Sequence, residues 1–145
     1  LDSMASGNGA AAAILQADNP MMTDVTGFGL ARHALNLAER CSFSGVEITL
    51  AAVPLLAGAE RLLEQGVRSS LHAQNAASVR LADSIADSPR KAALFDPQTS
   101  GGLLAALPRA QAEAAIDRLR AAGQTAVIIG RLTNAWAGLY TAREV

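Results

Sequence analysis

The sequence has 145 residues, which fits one domain that buries roughly 68–70% of the surface exposed by its unfolded chain. Hydrophobic residues make up 50% of the chain and aromatic residues only 3%, so the core must consist mainly of Ala, Leu, Val and Ile. The formal net charge of −1, without a run of Lys or Arg, disfavours nucleic-acid binding.

The cysteine count and the hydropathy pattern narrow the class of protein further. Cys41 is the single cysteine of the sequence, which excludes an internal disulfide and a cysteine metal cluster, and we expect a cytoplasmic protein. No apolar run approaches the roughly 18 residues that a membrane-spanning helix needs, so we expect no membrane contact. Because the sequence begins with Leu1 rather than Met, we expect it to be part of a longer protein.

Two helices are predicted at the start of the chain. The first spans residues 7–17, where an alanine run has high helix propensity and a stop signal follows at residues 18–20. The second spans about residues 27–40, with apolar side chains at helical spacing. Its predicted buried stripe contains Leu30, Ala34, Leu37 and Ala38, and its predicted polar side contains Arg32, His33, Asn36 and Glu39.

The middle of the chain predicts one strand and two further helices. Alternation of apolar and polar residues over 46–50 indicates a half-buried strand. Pro54 can begin a helix that continues to a stop at Gly66. After a loop at residues 68–72, helical character runs from Asn75 or Ser78 to residue 86 and ends at residues 87–89.

The last third predicts three strands and one helix. Residues 103–107 form a continuous apolar segment, typical of a strand covered on both faces. A helix is predicted from Pro108 to Gly123, a buried strand over 126–130, and an edge strand over 139–142. The mixed order of helices and strands predicts an α+β fold, a mixed sheet covered by helices, in one domain over residues 1–145.

The most informative stretch, residues 22–30, is rich in side-chain oxygens and glycine and precedes the second predicted helix. Thr23, Asp24 and Thr26 each favour a helix N-cap, and Gly27 and Gly29 permit close approach of backbone or phosphate. A carboxylate here can either cap the helix or bind Mg²⁺, which is commonly shared between one or two carboxylates and a phosphate. The residues alone leave both alternatives open.

A second polar turn, residues 94–102, contains paired glycines and runs into the apolar segment at 103–107. It can be a structural turn that positions the following strand, or it can take part in a ligand site, and one turn can do both. Of the isolated candidates, we expect Cys41 to pack as a small apolar residue and His33 to be solvated or to cap a helix. His72 lies in a loop from which it can approach a ligand.

These two stretches closely resemble the signature motifs of the selenophosphate synthetases, also called selenide, water dikinases. Residues 23–29 read TDVTGFG and residues 95–104 read FDPQTSGGLL, in the order that the family has them. Further similarity at residues 45–46, 53–54, 66–75 and 128–130 extends the likeness over almost the whole chain. Aminoimidazole ribonucleotide synthetase and thiamine-monophosphate kinase share the domain type but lack DPQTSGG in this form.

The resemblance implies a C-terminal domain of the aminoimidazole ribonucleotide synthetase superfamily, with an α+β fold partly like a ferredoxin fold. The family converts selenide, ATP and water into selenophosphate, AMP and phosphate. By the resemblance, Asp24 helps to bind Mg²⁺ at the nucleotide phosphates, which would otherwise repel a carboxylate. The residues implied to contact ATP are Thr23, Thr26, Gly27 and Asn75.

Two departures from the family pattern limit what the resemblance implies. The N-terminal ATP-binding half is absent from the sequence, and with it the reactive Cys or selenocysteine, its Lys and further magnesium-binding aspartates. Cys41 lies on the wrong side of the first motif to replace that nucleophile. Many members have PGGT where this chain has SSLH at residues 69–72, ahead of Asn75. We therefore expect the fragment alone to be inactive.

Three functions agree with these observations. The first is a synthetase fragment whose partners are the missing N-terminal domain, selenide, ATP and a second copy in a homodimer. The second is a non-catalytic or regulatory module of the same fold within a fusion protein. The third is a related ATP-dependent synthetase or kinase with another acceptor.

Overall fold

The computed structural model describes residues 7–81 and 86–141. In chain order the elements are α1 (Gly9–Leu15), continued by a 3₁₀ turn (Gln16–Asp18), β1 (Met21–Asp24), α2 (Gly29–Arg40), β2 (Gly45–Ile48), a second 3₁₀ turn (Leu50–Ala52), α3 (Ala59–Glu64), α4 (His72–Ala77), α5 (Pro89–Ala93), β3 (Leu103–Ala106), α6 (Arg109–Ala121), β4 (Gly130–Thr133) and β5 (Gly138–Thr141).

The described strands form two sheets rather than one. β1 and β3 pair antiparallel, with Asp24 opposite Leu103. The other sheet has the order β4-β2-β5, in which β2 is antiparallel to β4 and parallel to β5. The α+β class and the mixed strand directions are as predicted, and β5 is an edge strand as expected.

α2 is the central helix, because it packs against both sheets. The larger hydrophobic cluster joins its buried face to β2 and β5, with Ile48, Leu94 and Leu139 almost completely buried. A smaller cluster, centred on Leu15 and Leu119, packs α1 and α6 against the two-stranded sheet. The side chains of β3 divide between the clusters, since Leu104 contacts the larger one, and its neighbours in the strand contact the smaller one.

Several predicted elements are confirmed with modest shifts of their ends. α1, α2, β2, β3 and α6 lie where helix propensity, residue spacing and the apolar segments placed them. Ala115 and Leu119 are the buried residues of α6. Among the described residues, no helix has the length and apolar character required to cross a bilayer.

Three of the predictions in the middle of the chain are wrong. The helix expected from Pro54 is confined to α3. The helix of residues 72–77 ends before Ser78, whose hydroxyl donates to the carbonyl of Asn75 at 2.7 Å. The chain then pairs through Leu81 with Leu139, and the part of the predicted helix at 82–85 lies outside the described residues. Residues 87–89 begin a helix instead of ending one, because Ser88 caps α5 and Pro89 occupies its first turn.

The strand expected over 126–130 begins only at Gly130. Its partner β2 stops at Ile48 and the chain turns into a 3₁₀ helix, so residues 126–128 have no strand to pair with. Val127 and Ile128 are consequently exposed rather than buried. The strand β1, at the start of the first motif, was not predicted from periodicity.

Candidate functional site

The two motifs lie side by side, although about 70 residues separate them in the chain. Beyond the β1–β3 ladder, the amide of Val25 donates to the carbonyl of Gly102 at 3.1 Å, and the amide of Gly101 donates back to Val25 at 3.2 Å. The amide of Gln98 donates to the carbonyl of Thr26 at 3.1 Å. The motif-loop pair, residues 24–28 and 96–102, is therefore one hydrogen-bonded unit.

Two glycines permit this close approach. A Cβ on Gly101 would lie 2.3 Å from the carbonyl oxygen of Val25. Gly29 has a φ of +75°, and a Cβ there would lie 2.8 Å from the carbonyl oxygen of Leu94, which accepts a hydrogen bond from the amide of Ala31. Side chains at these positions would force the motifs apart.

Asn75 joins the two motifs from α4. It is 5% exposed, and its side-chain Nδ2 donates at 2.9 Å both to the carbonyl of Gly27 and to the carbonyl of Phe95. Both amide hydrogens are used in this way, so the donors of Asn75 serve the protein backbone.

Asp24 is exposed at the end of β1. Its Oδ1 accepts a hydrogen bond from Asn8 Nδ2 at 2.7 Å, and the same amide donates to the carbonyl of Gly101 at 2.9 Å. α2 begins at Gly29, and no side chain caps it. The helix-cap alternative for Thr23, Asp24 and Thr26 is therefore wrong.

Asp24 by itself can supply only part of the ligand set of a cation. Within residues 7–81 and 86–141, no three His, Cys, Asp or Glu side chains cluster closely enough to bind a metal ion by themselves. An exposed carboxylate with one oxygen already hydrogen-bonded can supply one ligand to a hard cation, and phosphates or further protein groups must supply the others.

The backbone after Asp24 presents unused donors. In the described part of the chain, the amides of Gly27 and Phe28 have no hydrogen-bond acceptor, and both residues are exposed. The carbonyl of Thr26 accepts from Gly29 at 3.0 Å, which turns the loop into α2. Thr23 donates through its hydroxyl to the carbonyl of Asp24 at 3.3 Å. Free amides ahead of a helix favour anions.

His33 belongs to this unit, and the prediction that it is solvated is wrong. It is buried on α2, and its Nε2 lies 3.1 Å from both the amide nitrogen and the hydroxyl of Thr26. Burial lowers the pKa of His33, and the negative charge of Asp24 opposes that shift. The sequence carries no signal for this contact, because Thr26 lies outside the helix, and helical periodicity alone assigns His33 to the polar side.

His72 lies at the other motif. It packs edge-on against Phe95 with ring centroids 5.9 Å apart, and its Nδ1 is buried without a hydrogen-bond partner among the described residues. Burial lowers its pKa, the charge of Arg68 lowers it further, and Asp96 opposes both. Cys41 is free and half-buried, and it directly follows the last residue of α2.

Comparison with known proteins identifies the family of the chain. The model of the family "AIR synthase related protein, C-terminal domain" matches residues 8–140. The chain is 36% identical over 137 residues to a selenide, water dikinase of Bdellovibrio bacteriovorus. The aligned region covers 91% of this chain and 39% of that protein.

Two further relatives carry the same name. A selenide, water dikinase of Pseudomonas straminea is 48% identical over 87 residues, 57% of this chain and 24% of that protein. One of Rhizobium meliloti is 42% identical over 106 residues, 70% of this chain and 30% of that protein. The chain thus spans well under half the length of these relatives. It belongs to the AIR synthase related protein family, as a C-terminal domain, and within that family it is similar to the selenide, water dikinases.

Proposed function

We propose that this chain is the C-terminal domain of an ATP-dependent selenophosphate synthetase, and that the motif-loop pair forms part of its magnesium and phosphate site. In this proposal the whole protein converts selenide, ATP and water into selenophosphate, AMP and phosphate. Its support is the similarity to selenide, water dikinases together with the pairing of the two motifs through β1 and β3. The nucleophile and the remaining magnesium ligands are assigned to the N-terminal domain of the full-length protein.

In this proposal Asp24 supplies a carboxylate ligand to Mg²⁺. Its exposure leaves one oxygen available, while the hydrogen bond from Asn8 fixes the orientation of the carboxyl group. Bound Mg²⁺ would offset the negative charge that builds up on the phosphates during phosphoryl transfer. A single carboxylate holds magnesium poorly, so we expect the isolated chain to bind the cation weakly and to be inactive.

The backbone of the first motif takes the complementary role towards phosphate. The free amides of Gly27 and Phe28 can donate to phosphate oxygens. The hydroxyls of Thr23 and Thr26 already contact the carbonyl of Asp24 and Nε2 of His33, so these residues would shape the loop around the phosphate. Asn75 then acts on the nucleotide indirectly, because its donors hold the carbonyls of Gly27 and Phe95.

Substitution of Asp24 in the full-length protein tests the assignment. Asp24→Asn preserves the shape and the hydrogen bond from Asn8 but removes the charge, so we expect ATP-dependent selenophosphate formation to fall by at least about 100-fold. Asp117→Asn on α6 is the matched control. This substitution makes the same charge change at an exposed position outside the two motifs. Product can be followed by phosphorus NMR.

Two results would contradict the proposal. If the wild-type full-length protein forms no selenophosphate from selenide and ATP, the reaction is misassigned, and other acceptors or a non-catalytic module of this fold become the better explanation. If wild type is active and Asp24→Asn retains full activity at low Mg²⁺, the reaction stands but the role of Asp24 is wrong.

We further propose that the full-length protein is a cytoplasmic homodimer whose N-terminal domains complete the site. Leu56 and Val127 line a cleft of about 610 Å³, and Ile128 next to it is 53% exposed, so the isolated chain presents apolar surface. Sedimentation of the full-length protein checks the dimer, and a monomer at micromolar concentration would contradict it.

A further inference from the structure

We propose that His33 is a positioning residue for the first motif: its neutral imidazole holds the Thr26 peptide so that the free amides of Gly27 and Phe28 are presented to an anion. This inference rests on the proposed function for the identity of the anion, a nucleotide phosphate. The hydrogen bond itself depends only on the geometry of the described residues.

The hydrogen-bond partners fix the state of the imidazole. The amide of Thr26 can only donate, so Nε2 of His33, 3.1 Å away, must accept and must carry its lone pair. The hydrogen of the neutral ring is then on Nδ1. The hydroxyl of Thr26, also 3.1 Å from Nε2, reaches the same nitrogen, so the main chain and the side chain of Thr26 are both tied to His33.

This contact completes the fixation of the loop. The Thr26 carbonyl accepts from Gly29 and Gln98, and the Gly27 carbonyl accepts from Asn75, so each of these backbone groups has a partner. The amide at the start of this segment, that of Thr26, has its acceptor in His33. The amides of Gly27 and Phe28 are left unpaired within the described residues.

The location of His33 suits such a role better than a packing role. It is a buried polar residue in a helix whose other buried positions are Gly, Ala and Leu. A purely structural residue here could be apolar, since burying an imidazole without need is costly. The ring of Phe28, which is 61% exposed, lies 6.0 Å from the ring of His33 in a tilted arrangement.

The test varies the length of the side chain that carries the acceptor at position 33. His33→Gln can place an acceptor near the position of Nε2, whereas His33→Asn is shorter and cannot. In the full-length protein we expect His33→Asn to raise KM for ATP about tenfold, with kcat changed less than about threefold, because the unpaired Thr26 amide loosens the loop before binding. His33→Gln should remain within about threefold of wild type in KM.

His33→Leu is the second variant and should behave as His33→Asn does, since it offers no acceptor. Leu35→Ala is the control for simple loss of stability: Leu35 is buried on the same helix in the larger cluster, and we expect its KM for ATP to stay unchanged. If His33→Gln raises KM as much as His33→Asn, or neither variant raises it, the proposal is overturned.

Hydrogen exchange gives a readout that does not need activity. With the full-length protein and no nucleotide, peptides covering residues 25–29 should exchange faster in His33→Asn and His33→Leu, and as in wild type in His33→Gln. Unchanged exchange in all three variants would overturn the positioning role. Faster exchange in a protein whose wild type forms no selenophosphate would instead retain the positioning of the loop and reject only the proposed function.

Discussion

At the scale of single residues, Asn75 holds the two motifs together with one side chain. Replacing it by Asp keeps the shape but removes both donors and brings a negative charge towards the carbonyls of Gly27 and Phe95. We predict that Asn75→Asp lowers the free energy of unfolding by about 2–4 kcal/mol, because two buried acceptors lose their partner. Urea denaturation at pH 7 measures the change.

Gln74→Glu is the matched control for that variant. It makes the same amide-to-acid change one position earlier on α4, where the side chain is exposed, and we expect an effect within about 0.5 kcal/mol. Equal losses for the two variants would show that the negative charge on α4, and not the pair of hydrogen bonds, is responsible.

The site residues differ in how readily the sequence reveals them. Asp24, Thr26 and Gly27 are candidates from the sequence because residue types suited to cations and phosphates stand together in one motif. His33 was assigned to the wrong side of α2, because its partner is a backbone amide, which no side-chain pattern reports. Asn8 was missed for a related reason: it contacts Asp24 and Gly101 only once the chain has folded.

At the scale of elements, the contact between the loops after β1 and before β3 depends on how closely the two backbones approach. We predict that Gly101→Ala destabilises the protein by about 1–3 kcal/mol and reduces nucleotide binding by the full-length protein, because the new Cβ meets the backbone of Val25. Gly102→Ala is the matched control, since a Cβ there meets nothing within 4 Å. Thermal unfolding and calorimetric titration with ATP compare the two.

The result that would contradict this prediction is a Gly102→Ala variant as damaged as Gly101→Ala. Such a result would mean that chain flexibility at the paired glycines, and not the space at Gly101, is what the loop requires. If Gly101→Ala and Gly102→Ala are both as stable as wild type and bind ATP equally well, the two loops tolerate a larger distance between their backbones.

The two longest described helices, α2 and α6, were predicted for a physical reason that does not extend to strands. A helix buries a stripe defined by its own sequence, so α2 and α6 follow from spacing alone. A strand needs a partner, and residues 126–128 are apolar enough for a strand but lie beyond the end of β2. β1 has four residues without regular alternation, and its partner β3 is remote in the sequence.

At the scale of the whole molecule, both histidines make stability depend on pH in the same direction. Burial lowers the pKa of His33 and of His72 below the ordinary value of 6.5, so the folded state binds protons less readily than the unfolded state. Above pH 6.5 both states hold neutral imidazoles and stability is at its full value. As the pH falls below 6.5 the unfolded state takes up protons first, and stability decreases until the folded pKa is passed.

We therefore predict that the urea midpoint falls between pH 7.5 and pH 5.5, and that it falls less in the double variant His33→Gln, His72→Gln. The quantity compared is the decrease in urea midpoint from pH 7.5 to pH 5.5 in each protein, because the substitutions alter stability at every pH. An equal decrease in both proteins would assign the pH dependence to the carboxylates.

The pairing of β1 with β3 also sets the order in which the protein can assemble. Asp24 and Leu103 are about 80 residues apart, so closing this contact costs more chain entropy than any helix does and comes late in folding. During synthesis, β1 leaves the ribosome long before its partner exists. The loop that carries Asp24 therefore acquires its shape only after β3 has been made, and until then β1 remains an open edge to which other nascent strands can attach.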